Sequence, residues 1–362
     1  MKIIEVLEYF EQIIPVDFQE NYDNCGLQVG NGQSDLKQAL ITLDVTEEIL
    51  EEAIRKDCNL IISHHPLIFH GIKKITGSNP EERIIEKALK KDITIYSTHT
   101  CLDNNSAGLN VYIAGKLGLQ NISILAPGEN LLKKLVVFCP PDHAEKVRNA
   151  MFLAGGGNIG NYDSCSFNVH GKGSFKANEG ASPFVGRVNE LHFEEEIRIE
   201  LIFPVHLENK IIQAMLQNHP YEEVAYDIYK LENTYNKIGA GVIGNLENPA
   251  KTIDFLAFIK DIFGTKCIRH NAILKKEIQR VAFCGGSGIF LVNQAKRSKA
   301  DIFITSDIKY HDFFAEKILL ADIGHFESEH LSVELIASVL MKKFPTFAFS
   351  ISEIKSNPVH YF

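Results

Sequence analysis

A chain of 362 residues is too long for one ordinary core, at about 150 residues per domain, so more than one packed unit is expected. With 45% hydrophobic and 23% charged residues it can bury a sizeable core, which excludes a disordered or membrane-embedded chain on composition. The balance of 37 basic against 46 acidic residues, net −9, argues against broad phosphate-backbone binding and disfavours nucleic acid as a partner.

Seven cysteines, odd in number and widely spaced without a C-x-x-C pair, point away from a disulfide framework and a thiolate zinc site, and towards a reducing cytoplasm. Residues 1–10 lack the basic start and continuous apolar stretch of an export signal, and no later apolar run reaches the ~18 residues of a membrane span. The number left unexplained is 14 histidines against no tryptophan.

From residue 39 the chain alternates short Ile, Leu and Val runs with amphipathic stretches, the βα rhythm of a sheet covered by helices. Residues 39–43 read as a strand, Thr46 as an N-cap, and 47–56 as a helix with Ile49, Leu50, Ala53 and Ile54 on one apolar face. A strand over 60–62 runs into Ser63-His64-His65-Pro66. After a helix over 81–91, a strand over 93–97 runs into Thr98-His99-Thr100 and Asp103.

Residues 131–233 differ from both flanks, because they carry an internal repeat. Aligning Ala150-Met151 with Ala214-Met215 brings Pro140 onto Pro204, Lys146 onto Lys210 and Val147 onto Ile211. Each copy reads strand, proline, helix: 135–138 then 144–153, and 197–203 then 208–218. With strands near 162–170 and 225–231 this predicts a βαββαβ sandwich of the ferredoxin-like type, inserted into the other domain. Gly155 to Gly157 and Gly171 to Gly186 read as a glycine-rich linker between its strands, a candidate mobile or binding loop.

The βα rhythm then resumes. A strand over 281–284 leads into Gly285-Gly286-Ser287-Gly288, one over 302–305 into Ser306-Asp307, and one over 318–323 into Gly324-His325. The expected fold class is therefore α/β, one domain in two segments (1–130 and 234–362) around the insert (131–233). The glycine-rich segment matches no phosphate-loop pattern fully and reads first as a tight turn.

Function in open α/β sheets gathers beyond the carboxyl ends of the strands. His64, His65, His99, Asp103, Asp307, His311, His325 and Glu329 all follow predicted strands, and converge on one rim if those strands share a sheet and a direction. His, Asp and Glu without Cys make an N/O donor set suited to Zn, Mn, Fe, Co or Ni. His325 and Glu329 are i and i+4 on one helix face, so an imidazole and a carboxylate can meet one centre. Adjacent side chains such as His64 and His65 diverge on extended backbone, which suits one ligand to each of two ions better than two to one. Each feature has an ordinary reading alone: a solvated first helical turn, a pair of capping histidines, an Asx turn at Asp103. Asp307 and His311, again i and i+4, fit a further metal pair, outer supports or an acid/base pair, and His99 an orienting or proton-shuttling group.

Five separated motifs, in order, resemble those of the GTP cyclohydrolase I type 2 homologs, the Nif-three-like dinuclear metal proteins. They are Tyr22-Asp23-Asn24-Cys25-Gly26-Leu27-Gln28-Val29-Gly30, Ser63-His64-His65-Pro66, Thr98-His99-Thr100 with Asp103, Thr305-Ser306-Asp307 with His311, and Gly324-His325 with Ser328-Glu329. Tyr22 departs from the tryptophan common at that position, and the insert resembles the PII-like, CutA-like domain of longer members. The resemblance implies that His65 and Asp103 hold one divalent ion, that His64 and His325 hold the other, zinc being the first candidate, and that Glu329 bridges them. It also implies a homohexameric ring of trimers. The activity expected is metal-assisted hydrolysis of a small nucleotide-like substrate, with GTP ring opening as one form and His99, Asp307 and His311 as catalytic candidates. The alternative is a non-enzymatic metal-binding ring or adaptor whose insert senses a ligand.

Overall fold

A computed structural model of the chain describes residues 1–362. In the first segment the strands are β1 (Gly26–Val29), β2 (Ala39–Thr42), β3 (Leu60–Ser63), β4 (Thr94–Ser97) and β5 (Gln120–Gly128). The middle segment supplies β6 (Leu132–Cys139), β7 (Phe167–Lys176), β8 (Leu191–Pro204) and β9 (Tyr226–Leu231). Then come β10 (Tyr235–Lys251), β11 (Arg269–His270), β12 (Glu277–Phe283), β13 (Ile302–Thr305), β14 (Leu319–Asp322) and β15 (Phe349–Ile351). The chain divides into two compact units, one of residues Met1–Pro127 with Asn236–Phe362, the other of Gly128–Tyr235. No helix is long and apolar enough to cross a membrane.

The larger unit holds two sheets. Their strand orders are β1-β4-β3-β2-β15 and β11-β14-β13-β12-β10-β5. Strands β2, β3 and β4 are mutually parallel, as are β12, β13 and β14, so each sheet gathers its carboxyl ends on one edge. The central strands are buried along their whole length, as parallel strands covered on both faces must be. Alternation divides them between cores. Ile41, Ile62 and Tyr96 from one sheet meet Phe283, Ile304 and Ala321 from the other in a shared central core. Leu40, Ile61 and Ile95 instead pack outward on Ile49, Leu50, Ile84 and Ile85 of helices Glu47–Arg55 and Pro80–Lys90. Phe303 and Leu320 turn to a third cluster with Leu291 and Ala295. Thr46 caps its helix as expected, its hydroxyl accepting the Ile49 N–H at 3.3 Å.

The segment beyond His64-His65-Pro66 is anchored by Glu82, whose Oε2 accepts the N–H and hydroxyl groups of both Thr76 and Ser78. These bonds, led by the Thr76 N–H, hold the Glu82 carboxyl down to about 2 against an ordinary 4.5. A depressed carboxyl stabilises the fold above its ordinary pKa and loses that contribution as pH falls through the folded value. Protection of the Thr76 and Ser78 amides, measured relative to the intrinsic exchange rate at each pH, should therefore fall between about 4.5 and about 2. Glu82→Gln should already show the faster exchange at neutral pH; unchanged protection there would contradict the anchor.

The smaller unit is an antiparallel sheet of order β7-β8-β6-β9 with helices Pro141–Leu153 and Glu208–Asn218, the βαββαβ arrangement of a ferredoxin-like sandwich. The aligned pairs of the repeat, Val147 with Ile211 and Met151 with Met215, are all fully buried in its core. One expectation is corrected. Gly171 and Gly173 lie inside β7, which pairs with β8 from Phe167↔Glu200 to Lys176↔Leu191, rather than in a linker. The strand is exposed on most positions, so its apolar alternation is too weak to read.

Candidate metal centre

The strands do not all share one sheet, and convergence comes instead from the carboxyl edges of the two sheets in the larger unit, which meet at Glu329. Glu329 is 3% exposed on helix His325–Glu329. Its Oε2 lies 2.8 Å from His65 Nε2, 3.0 Å from His325 Nε2 and 3.9 Å from His64 Nε2. Thus one carboxylate oxygen joins residues that follow β3 to a residue that follows β14. The donor atoms of His64, His65 and Glu329 all lie within 4.8 Å of one another.

Backbone pairing continues past the strand ends and sets these side chains. His64 and His65 donate their N–H groups to Thr42 and Leu43, and His99 donates to His64. The His64 and His65 rings stand 5.1 Å apart and tilted by 47°, with His99 5.7 and 5.6 Å from them. Asp103 ends helix His99–Asp103, and its Oδ1 is 3.6 Å from His64 Nε2. The ligand sharing implied by the resemblance paired Asp103 with His65 and His64 with His325. In side-chain distance Asp103 lies beside His64, and His65 and His325 both reach Glu329 Oε2, so all five residues stand around one carboxylate.

Three histidines are oriented by aspartates. His65 Nδ1 is 2.6 Å from Asp44, His325 Nδ1 2.6 Å from Asp307, and His99 Nδ1 2.6 Å from Asp23. An ionised carboxylate only accepts, so Nδ1 carries the proton and Nε2 is presented to the interior. Ser356 and Ser287 in turn donate to Asp44 and Asp307, and Thr100 donates to Asp23. Asp23 and Asp44, which hold two of these rings, are not among the strand-end residues singled out from the sequence. A signal existed for Asp44, which follows β2 as the histidines follow β3, and Asp23 sits inside the first quoted motif.

Asp307 therefore touches the cluster through His325. Its φ of +54° also removes the helical i, i+4 pairing expected with His311. His311 lies exposed on the turn Tyr310–Phe314, with its ring against Tyr310 and Phe314. It is not brought into the cluster. The turn Gly285-Gly286 is, for a side chain at Gly286, whose φ is +59°, would collide with Glu329 Oε1. Only glycine lets this backbone approach the carboxylate without strain.

Burial opposes charge on His65, yet Asp44 and Glu329 outweigh it and push the ring up to about 10. His325 is pushed up to about 9, burial again being overcome by Glu329 and Asp307. Burial dominates at His64 and lowers it to about 3, and at Asp103, whose carboxyl it raises together with repulsion from Glu329. Neutral His64 Nε2 and Asp103 Oδ1 are both sealed from solvent and lack any hydrogen-bond partner. Buried polar atoms are normally paired, and a divalent cation between this imidazole nitrogen and the carboxylate oxygen 3.6 Å away would satisfy both. The donor set of three imidazoles and two carboxylates fits a divalent ion of the zinc type. Beside His65 and His325 lies a cavity of about 410 Å³, whose wall includes Arg269, Asn357 and Tyr361.

Fold and site define an α/β protein of two facing sheets with a buried His/Glu cluster of metal-ligating composition. The chain belongs to the Duf34/NIF3 (NGG1p interacting factor 3) family, whose sequence model matches residues 1–358. It is 39% identical over 362 residues to a Bacillus subtilis protein named GTP cyclohydrolase 1 type 2 homolog, covering 98% of this chain and 97% of that one. A protein of the same name from Halalkalibacterium halodurans is 40% identical over 324 residues, covering 88% and 87%. Among solved structures, a Bacillus cereus protein related to NIF3 superposes with a TM-score of 0.85 at 37% identity, covering 100% of this chain and 99% of that one. A Staphylococcus aureus protein gives 0.77 at 29% identity, with the same coverage.

Proposed function

We propose that His64, His65, Asp103, His325 and Glu329 hold two divalent ions, zinc foremost, and that the protein is a hydrolase acting on a small nucleotide-like substrate. The unpartnered, sealed pair His64 Nε2 and Asp103 Oδ1 carries this reading. Paired divalent ions, when bound, supply Lewis acidity that acidifies water and polarises a substrate oxygen. The chain's own residues do the rest. Asp44 and Asp307 fix the His65 and His325 rings, and Gly285-Gly286 closes over Glu329. Asp23 holds His99 by Nδ1 and leaves its Nε2 to exchange a proton with substrate or solvent. The cavity beside the cluster offers the Arg269 guanidinium, steadied by Asp322 and by the Phe313 ring 5.6 Å away, to an anionic group. The names of the curated relatives support GTP ring opening as a form of this activity. Family resemblance supports a homohexameric, cytoplasmic assembly.

The test is to load the full chain with Zn, Mn, Fe or Co and screen GTP, other nucleotides and phosphoesters. Turnover should vanish in His64→Ala. His99→Ala should keep its metal content while losing roughly 10²–10⁴-fold in rate, the usual worth of a positioned acid or base. Fully metallated protein inactive on every nucleotide and phosphoester would favour the scaffold reading.

A further inference from the structure

The insert carries a cavity of its own, about 580 Å³, wholly within residues 128–235 and independent of the metal reading. It lies on the face of the sheet turned away from the helices. Leu135, Val137 and Cys139 of β6, with Ile199 and Leu201 of β8, pack in the helical core, so the alternating Phe138 and Glu196 turn to the other side. On the neighbouring β7 the residues opposite Glu196 and Glu194 are Gly171 and Gly173. β7 contributes no side chain to that strip at Gly171 or Gly173, and the Glu196 carboxylate lies across it, where a Cβ on Gly173 would collide.

Aromatic rings complete the walls. Phe175 and Phe184 stand 6.3 and 6.2 Å from Tyr221, whose hydroxyl donates to Glu196 Oε1 at 3.1 Å. Tyr221 is held from behind by His219, buried at 8% exposure. Its Nε2–H donates to the Phe138 carbonyl at 2.9 Å, and its Nδ1 accepts the Tyr221 N–H at 3.1 Å, a neutral ring with a fixed tautomer. The segment bearing Phe184 is tied down by the Ser182 N–H on Glu222 at 2.8 Å. Glu179, Glu196, Glu222 and Glu223 line this space with a single lysine, Lys176, and the His143 ring stands 5.5 Å from Phe184.

We infer that this cavity binds a small organic ammonium ion, its charge set between Glu196 and the rings of Phe175, Phe184 and Tyr221. Aromatic faces attract a cation within about 6 Å of their centroids, and a carboxylate beside them adds a charge contact that a neutral ligand cannot use. Excess acid excludes anions, while aromatic walls offer nothing to a hard metal ion.

The experiment is calorimetric titration of the full chain at low ionic strength with choline and n-butylammonium, using dimethylbutanol as the uncharged carbon isostere of choline. At least one ammonium ion should bind saturably, and choline at least ~10-fold more tightly than its isostere. Glu196→Gln should weaken ammonium binding by about tenfold or more, as should Tyr221→Leu, whereas Tyr221→Phe, which keeps the ring, should stay within a few-fold. Circular dichroism of each variant controls for folding. Absence of saturable binding by both cations, equal binding of choline and its isostere, or unchanged binding in correctly folded Glu196→Gln would overturn the proposal.

Discussion

Glu329→Gln should strip the chain of at least one divalent ion while leaving its fold intact. The amide matches the carboxylate in size, so the contact with Gly286 and the helix His325–Glu329 survive, but the negative charge shared by His65 and His325 disappears. Loss of an orienting partner alone costs a metal site ~10–100-fold in affinity, so loss of a charged ligand should exceed that. Elemental analysis after dialysis reads the result directly. Full occupancy of both positions in the variant would rule out a bridging role for Glu329.

Chelation should lower the thermal midpoint of the wild-type protein. Without cations, burial and then repulsion from the nearby Glu329 carboxylate disfavour the charged form of Asp103 and raise its pKa. A ligand present at a thousand times its dissociation constant stabilises by about 4 kcal/mol, equivalent to a shift on the order of 5–10 °C for a unit of this size. Scanning calorimetry with and without chelator measures it, and Glu329→Gln should show a smaller shift because it has less cation to lose. Equal midpoints for wild type in both conditions would remove the argument that the cluster is completed by metal.

Much of the layout was legible because it is local. Strand 302–305 was read as it occurs, and Thr46 was recognised as a cap, since four buried β-branched or aromatic residues and a hydroxyl before an amphipathic run are signals within one turn of chain. The repeat pointed to Met151 and Met215 as equivalent, and both are core. Signals failed where burial or backbone conformation was set from elsewhere. Strand β7 is too exposed to show alternation, and the left-handed Asp307 cancels a helical spacing that residue counting suggested for His311.

The sequence by itself determined which groups stand at strand ends, because a short apolar run followed by a polar residue is a property of consecutive positions. It therefore marked His64, His65, Asp103, His325 and Glu329 as one donor set. Only the tertiary structure decided that they come from two sheets facing across a common core, that Glu329 Oε2 joins the two edges, and that Asp23, Asp44 and Asp307 each turn a histidine inward. The reason is sequence distance: Asp44 meets a ring 21 positions away and Glu329 one 264 positions away. Contacts of that range follow from how the sheets pack, and no periodicity within either segment encodes them.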